Sequence, residues 1–169
     1  MSSFQSIPAD SLSLNPFTSI GKDWMLITAG DAAQYNTMTA SWGGLGFLWN
    51  KPVSYIFIRP QRYTKEFVDT QPRYSLCFFD DSWRDMLNLC GTKSGREIDK
   101  AKETGITPVF TQAAPYFAEA RLVLICKKLF CQPMEEQAFL DQNLLPRFYP
   151  EHDLHTLYVG EIETILVRK

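Results

Sequence analysis

The sequence is poor in the residues from which metal and redox-active thiol sites are usually built. It has only two histidines, His152 and His155, in 169 residues, and its four cysteines include no Cys-x-x-Cys pair. Two histidines with only neighbouring carboxylates make a poor zinc site. We therefore predict no metal centre, and we interpret the cysteines as buried, reduced thiols and not as a disulfide framework.

Basic residues and long apolar runs are also scarce. Lys and Arg number 17 against 19 Asp and Glu, which gives a net charge of −2. Without a basic excess the chain has little with which to neutralise phosphates, which argues against a nucleic-acid partner. No apolar run approaches the ~20 residues that span a bilayer, and residues 1–15 lack the pattern of a secretion signal. We therefore expect no membrane partner and a cytoplasmic protein.

Aromatic residues, by contrast, are plentiful, with 12 Phe, 7 Tyr and 4 Trp. This excess favours either a β-rich core or a site that stacks flat ligands, and composition cannot separate the two. The length suits one core, and we predict a single domain over residues 1–169.

Alternating apolar residues predict a mainly β fold with short helices. We expect six or seven strands, the clearest at residues 24–29, 37–42, 53–58, 74–79, 119–130 and 156–167. Glycines after residue 42 are expected to end the second of these. Because the elements do not follow a βαβ rhythm, we predict an antiparallel, Greek-key-like barrel, which also removes exposed sheet edges.

Short helices are predicted between the strands. One is expected at residues 64–69 with Thr64 as its N-cap, and another opens near residue 82 and ends near Gly91. Ser94 and Glu97 have capping-box spacing, which predicts a helix from there to Gly105.

The first candidate site is a polar stretch beside an indole, at residues 36–44. Thr37, Thr39 and Ser41 fall on one face of the predicted strand, and Trp42 follows them. These side chains could hold a phosphate next to an aromatic wall for a ring. Alternatively, the hydroxyls are the solvent face of a half-buried sheet, and Trp42 is a core or interface aromatic.

The second candidate site is residues 59–64, at the end of a predicted buried strand. A helix N-terminus offers unpaired N–H groups and a partial positive charge. Arg59, Arg62 and the Thr64 hydroxyl could converge there on a phosphate dianion. The alternative is a surface loop with unpaired arginines. Neither the P-loop nor the dinucleotide-binding glycine spacing is present, which favours a mononucleotide over a dinucleotide ligand.

Four segments, in order, resemble the flavin reductase-like proteins with an FMN-binding split barrel, specifically the flavoredoxin-like branch. They are residues 36–44, 59–64, 94–100 and 155–162. The resemblance extends from about Trp24 to the end of the chain. It implies a homodimer of split β-barrels in which FMN lies at the subunit interface.

The resemblance also implies a set of cofactor-binding residues. Asn36 and Trp42 would border the isoalloxazine ring, and Lys100 or His155 would place a positive or hydrogen-bond-donating group near its N1–C2 edge or at the phosphate. The full implied set is Asn36, Met38, Thr39, Ala40, Ser41, Trp42, Arg59, Arg62, Tyr63, Thr64, Lys100 and His155.

The function implied is that of a flavoprotein oxidoreductase that moves electrons from NADH or NADPH through FMN to a small-molecule or protein acceptor. The cofactor would carry the chemistry, and the sequence leaves the catalytic residues unassigned. The alternatives are a flavoredoxin-like electron carrier without nicotinamide activity and a binding module without turnover. Residues 132–153 form a longer segment than the compact family form has, and we expect them to cover the flavin, extend the dimer contact or narrow substrate access.

Overall fold

A computed structural model describes residues 4–169 of the protein. The strands are β1 (Phe4–Ile7), β2 (Met25–Gly30), β3 (Tyr35–Ala40), β4 (Gly43–Leu48), β5 (Lys51–Ile58), β6 (Arg73–Phe78), β7 (Pro108–Val109), β8 (Tyr116–Phe117), β9 (Leu122–Pro133) and β10 (Thr156–Arg168). The helices are α1 (Pro16–Gly21), α2 (Tyr63–Thr70), α3 (Arg84–Thr92), α4 (Lys100–Thr104) and α5 (Leu144–Phe148). The predicted mainly β fold with short helices is confirmed.

Eight of the strands form one antiparallel sheet in the order β3-β2-β6-β9-β10-β5-β4, with β1 also paired to β10. The two edge strands, β3 and β4, are consecutive in the chain, and only Ser41 and Trp42 lie between them. The sheet therefore has to roll until its edges approach each other. The result is an open, split barrel, as expected.

The rolled sheet buries side chains on both of its faces. Inside the barrel lie Met25, Ile27 and their neighbours, whereas Leu26 points outward. The outer face is covered by α3 and by residues 106–120, whose Phe117 is fully buried. This double cover explains why all six residues of β2 are buried.

The strand predicted at residues 37–42 ends at Ala40, close to the predicted break, but the glycine-rich stretch after Trp42 forms a further strand, β4, that was not predicted. Strand β4 pairs with β5 through a two-residue turn at Trp49 and Asn50, both with positive φ, as in a type I′ hairpin. The Tyr55 ring lies across the β4 glycines: a Cβ on Gly46 would come within 3.2 Å of it. The absence of side chains at these glycines therefore lets the Tyr55 ring pack across the neighbouring strand.

The helix starts differ from those predicted. Arg62 occupies the N-cap of α2, and Thr64 lies inside its first turn. The helix predicted from Ser94 begins only at Lys100, where the Asp99 side chain accepts a hydrogen bond from the Lys102 N–H. The Ser94–Glu97 capping box is thus wrong, whereas the predicted end of the helix at Gly105, with φ of 75°, is confirmed.

The hydroxyl face of β3 is covered, so the interpretation of that face as solvent-exposed is wrong. Thr37 is buried and shares a 2.8 Å hydrogen bond with Thr28. The Thr39 hydroxyl donates to the Leu87 carbonyl of α3 at 2.5 Å.

All four cysteines lie in the described part of the chain and are free thiols. Cys77, Cys90 and Cys126 are buried as expected, but Cys131 is exposed. Within residues 4–169, no helix is both long and apolar enough to cross a membrane.

Candidate functional site

The end of β3 and its junction with β4 border a cleft of about 210 Å³, which we call the aromatic cleft. It bridges strands from opposite parts of the rolled sheet, because β3 forms one edge while β5 and β10 lie near the other. Its lining residues are Met38, Thr39, Ala40, Ser41, Trp42, Phe57, Arg59, Arg62 and His155.

Rings form one wall of the aromatic cleft. The Trp42 indole is 43% exposed, and its centroid lies 5.5 Å from that of Phe148 and 5.3 Å from that of His155. Phe57 meets His155 edge to face at 6.5 Å. A partly exposed indole held by neighbouring rings offers a fixed apolar surface to a flat ligand.

His155 is buried at the base of this wall, directly before β10. Its Nδ1 shares a 2.8 Å hydrogen bond with the Tyr149 hydroxyl. Burial, and secondly the Arg59 guanidinium, lower the pKa of His155 to about 4, although Asp153 acts in the opposite direction. The imidazole is therefore neutral at pH 7.

Arg59 is bound to the segment that precedes His155. Its guanidinium donates to Asp153 Oδ2 at 2.5 Å and to the Phe148 carbonyl at 2.8 Å, and it lies 5.0 Å from the Tyr149 ring centroid. The Gln61 amide donates to the same Asp153 oxygen. The charge of the Arg59 guanidinium is thus balanced inside the protein by the Asp153 carboxylate.

A second cleft, of about 170 Å³, lies on the other side of Arg62, and we call it the polar cleft. Its lining residues are Asn36, Gln61, Arg62, Tyr63, Thr64, Thr92, Lys93, Ser94, Gly95 and Lys100. Arg62 lines both clefts and so connects them.

Two cations of the polar cleft meet the carboxyl-terminal end of α3. Arg62 donates to the Gly91 carbonyl at 2.7 Å, and Lys100 Nζ donates to the Cys90 carbonyl at 2.9 Å and to the Thr37 carbonyl at 2.7 Å. The last carbonyls of a helix lack partners within the helix and carry partial negative charge, which explains why these cations settle there. Burial lowers the pKa of Arg62, and it lowers that of Lys100 to about 8.

The donor chemistry of the polar cleft fits a phosphate group. A guanidinium has five N–H groups and an ammonium three, so both cations keep donors beyond those bonds. Asn36 Nδ2 donates to the Thr64 hydroxyl at 2.8 Å, and Ser94 Oγ accepts from the Arg96 N–H. Since both hydroxyl oxygens act as acceptors, their own hydrogens remain available to a ligand.

Gly95 brings a loop against this cleft more closely than any side chain would allow. A Cβ there would lie 1.9 Å from Asn36 Oδ1. The absence of a side chain at Gly95 therefore keeps Asn36 in place beside Thr64.

The structure divides the implied cofactor-binding residues between the two clefts. Most of the 36–44 stretch, together with His155, lines the aromatic cleft, whereas Tyr63, Thr64 and Lys100 line the polar one. Asn36 lies with the polar group and not beside Trp42.

The residues that shape these clefts but were not predicted from the sequence include Phe57, Lys93 and Tyr149. Phe57 was recoverable from the pattern, because residues two apart on a strand share a face and Arg59 was already a candidate. Tyr149 lies on the long segment before β10, and no local pattern connects it to His155.

Solved structures with the same fold include flavin-dependent proteins. A flavoredoxin from Methanosarcina acetivorans has a TM-score of 0.65 and 21% identity, over 85% of this chain and 67% of that one. The FMN-binding domain of a flavin reductases-like enzyme from Shewanella baltica OS155 has a TM-score of 0.70 and 14% identity, over 98% and 78%. An NADH:FAD oxidoreductase from Streptomyces globisporus C-1027 has a TM-score of 0.63 and 16% identity, over 87% and 77%. At these identities the likeness shows the fold.

The comparison with curated proteins gives no match. The comparison with protein families does, and the match covers nearly the whole chain. The chain belongs to the family of the flavin reductase like domain, whose model matches residues 17–169.

Proposed function

We propose that the protein binds FMN, with the isoalloxazine ring in the aromatic cleft and the phosphate in the polar cleft. The observation that carries this proposal is the pair of adjoining clefts with Arg62 between them, one lined by rings and the other by cations and hydroxyls. A flat ring joined to a phosphate tail needs these two environments side by side. Their volumes together fall near the lower end of ordinary small-ligand sites, about 300–1,000 Å³.

Each group of residues has a distinct task in this arrangement. Trp42 and Phe57 provide apolar contact for the ring, and their neighbours exclude water from it. Arg62, Lys100 and the Thr64 hydroxyl bind the phosphate through charge-assisted hydrogen bonds. Arg59 mainly fixes the segment around Asp153, with which it forms an ion pair.

The activity proposed is an oxidoreductase that takes electrons from NADH or NADPH and passes them to a small-molecule or protein acceptor. Bound FMN would supply the hydride and electron transfer. The second candidate is an electron carrier that exchanges electrons only with a protein partner. The chain shares its fold with a flavoredoxin, which supports the electron carrier, and with an NADH:FAD oxidoreductase, which supports the enzyme.

We further propose that the protein is a homodimer with the cofactor at the subunit interface. Large apolar side chains are exposed on β4, its turn and β9: Phe47 is 71% exposed, Trp49 54% and Phe130 41%. The Trp49 and Phe130 rings lie 6.3 Å apart and so form one patch. A dimer should be seen by analytical ultracentrifugation, and Trp49→Lys should shift it toward monomer; a monomeric wild type contradicts the proposal.

The cofactor proposal is tested by FMN titration of purified, flavin-free protein, followed by flavin fluorescence. Replacing Arg62 with Gln removes one charged partner of the phosphate. A hydrogen bond to a charged group contributes about 1.5–3 kcal/mol, so the dissociation constant should rise roughly ten- to hundredfold. The matched control is Arg73→Gln, since Arg73 binds Glu163 away from both clefts.

Because Arg62 also binds α3, thermal unfolding of both variants must accompany the titration. A folded Arg62→Gln variant with unchanged FMN affinity contradicts the phosphate assignment, and a wild type that binds no FMN contradicts the proposed function. Anaerobic addition of NADH and NADPH then separates the two activities. Bleaching of the flavin absorbance supports the oxidoreductase, whereas persistent colour supports the electron carrier.

A further inference from the structure

The long segment before β10 places a tyrosine against His155. Tyr149 follows α5, and its hydroxyl lies 2.8 Å from His155 Nδ1, with the two rings edge to face at 5.5 Å. Both residues are buried, and the Phe139 ring packs on Tyr149 from the same segment. The Met134 N–H also donates to the His155 carbonyl at 2.9 Å. Side chain and backbone of His155 are therefore both held by residues 134–149.

The bond at Nδ1 decides which nitrogen of His155 carries the proton. A neutral imidazole has one N–H donor and one acceptor nitrogen. If Nδ1 were the donor, the tyrosine O–H would have to turn to Met134 Sδ, 3.8 Å away, and a thioether is a weak acceptor. The better arrangement has the Tyr149 O–H donating to Nδ1, which leaves the hydrogen on Nε2.

The other nitrogen is free to meet a ligand. Among residues 4–169, the hydrogen bond at Nδ1 is the only one made by the His155 side chain, which leaves Nε2 without a protein partner, and the ring lines the aromatic cleft. The charged groups facing the ring are Arg59 and Asp153, which are paired with each other. Tyr149 is the third titratable neighbour, and burial raises its pKa, so that it remains a phenol.

We propose that Tyr149 is a positioning residue that holds His155 as a neutral imidazole whose Nε2–H donates into the aromatic cleft, to a carbonyl oxygen of the molecule bound there. Only the identity of that molecule rests on the proposed function. The carbonyl belongs either to the flavin ring or to an electron acceptor that binds beside it. The long segment before β10 thus sets the hydrogen-bonding preference of the aromatic cleft. Ligands that place an acceptor next to His155 Nε2 are favoured over those that place a donor there.

The tautomer can be measured directly in flavin-free protein by two-bond ¹H–¹⁵N correlation spectra of ¹⁵N-histidine-labelled samples. His152→Gln assigns the two histidines. Wild-type His155 should show a protonated Nε2 and an unprotonated Nδ1 from pH 5.5 to 8. Tyr149→Phe should convert it into a mixture of tautomers, whereas Tyr116→Phe, which removes a hydroxyl bound to Thr111 elsewhere, should leave the wild-type pattern.

An Nδ1–H tautomer in the wild type, or an identical pattern in Tyr149→Phe, overturns the proposal. Because no flavin is present, a failure of FMN binding cannot produce either result. Adding FMN and then benzaldehyde identifies the carbonyl. A change of the His155 Nε2 shift with FMN alone assigns it to the flavin, and a change only with benzaldehyde assigns it to the acceptor. No change with either compound, while absorbance shows FMN bound, overturns the donation into the cleft.

Discussion

Replacing Lys100 with Met should destabilise the protein, and the loss should grow as the pH rises. The side chain is 6% exposed, and Nζ donates to two carbonyls, Thr37 O and Cys90 O. Methionine fills a similar volume but leaves both carbonyls without this donor, at about 1–3 kcal/mol for each buried unsatisfied group. Removal of a buried charge offsets part of this cost. We expect a net loss of about 2 kcal/mol at pH 7, which lowers Tm by roughly 4–8 °C in a chain of this size.

The pH dependence follows from the lowered pKa of Lys100, about 8 in the folded protein against 10.5 ordinarily. Between these values the unfolded chain binds a proton that the folded chain does not, so stability rises with pH. This increase in the free energy of unfolding is absent below about pH 8 and complete above about pH 10.5. With about 1.4 kcal/mol per pKa unit, it amounts to ~2 kcal/mol between pH 7 and 9.5. Methionine cannot provide it, so the stability gap between wild type and variant should widen by that amount.

Urea denaturation of both proteins at pH 7, 8, 9 and 9.5 measures this gap. Taking the difference at each pH cancels the contributions of titrating groups that do not interact with Lys100. Its neighbour Cys90 does interact with it, but burial raises the pKa of that thiol to about 11, above the pH range used. Lys102→Met is the control, since Lys102 lies on the same helix but is exposed. A gap for Lys100→Met that is independent of pH, or a variant more stable than wild type at pH 7, would refute the reasoning.

Two glycine substitutions test close approaches in the fold. Gly95→Ala should displace the Asn36 amide and weaken FMN binding roughly 5- to 30-fold, or by about 1–2 kcal/mol, with a smaller effect on Tm. An unchanged FMN affinity in fluorescence titrations would mean that the loop carrying Gly95 moves away from Asn36. Gly160→Ala sets a Cβ 2.3 Å from the Tyr74 hydroxyl in the buried sheet and should cost about 1–3 kcal/mol in urea denaturation. Gly21→Ala, with no heavy atom within 4 Å of its Cβ, is the control for both, and an equally small effect at Gly160 would contradict the packing argument.

Local patterns were sufficient to locate most of the sheet. The strand predicted at residues 24–29 is observed as Met25–Gly30, and that predicted at 156–167 as Thr156–Arg168. Strand β4 was missed because its glycines are stabilised by the ring of Tyr55, a contact that only strand pairing creates. The helix expected from Ser94 was too long because Asp99 provides a competing cap closer to its end.

Most residues that line the candidate site were named from the sequence, but their partners within the protein were not. Arg62 and Lys100 were candidates for their charge, yet their contacts with α3 depend on how distant segments pack. Arg59 was expected to bind phosphate together with Arg62. Its ion pair with Asp153 joins residues 94 positions apart, and no local sequence pattern predicts such a contact. Patterns in the sequence identify chemistry, whereas tertiary packing decides which groups remain free for a ligand.

The short connection between the two edge strands has a consequence for local opening of the barrel. Strands β3 and β4 are joined by Ser41 and Trp42, and the aromatic cleft beside this junction also touches Phe57 of β5 and His155, directly before β10. Edge strands have fewer interstrand hydrogen bonds than central ones, so transient opening should begin here. A molecule bound in the cleft contacts β3 and β5 at the same time and so stabilises the closed arrangement of the two edges. Amide hydrogens along β3 and β4 should then exchange with deuterium more slowly. Hydrogen exchange would therefore report ligand binding in the aromatic cleft even when the ligand does not react.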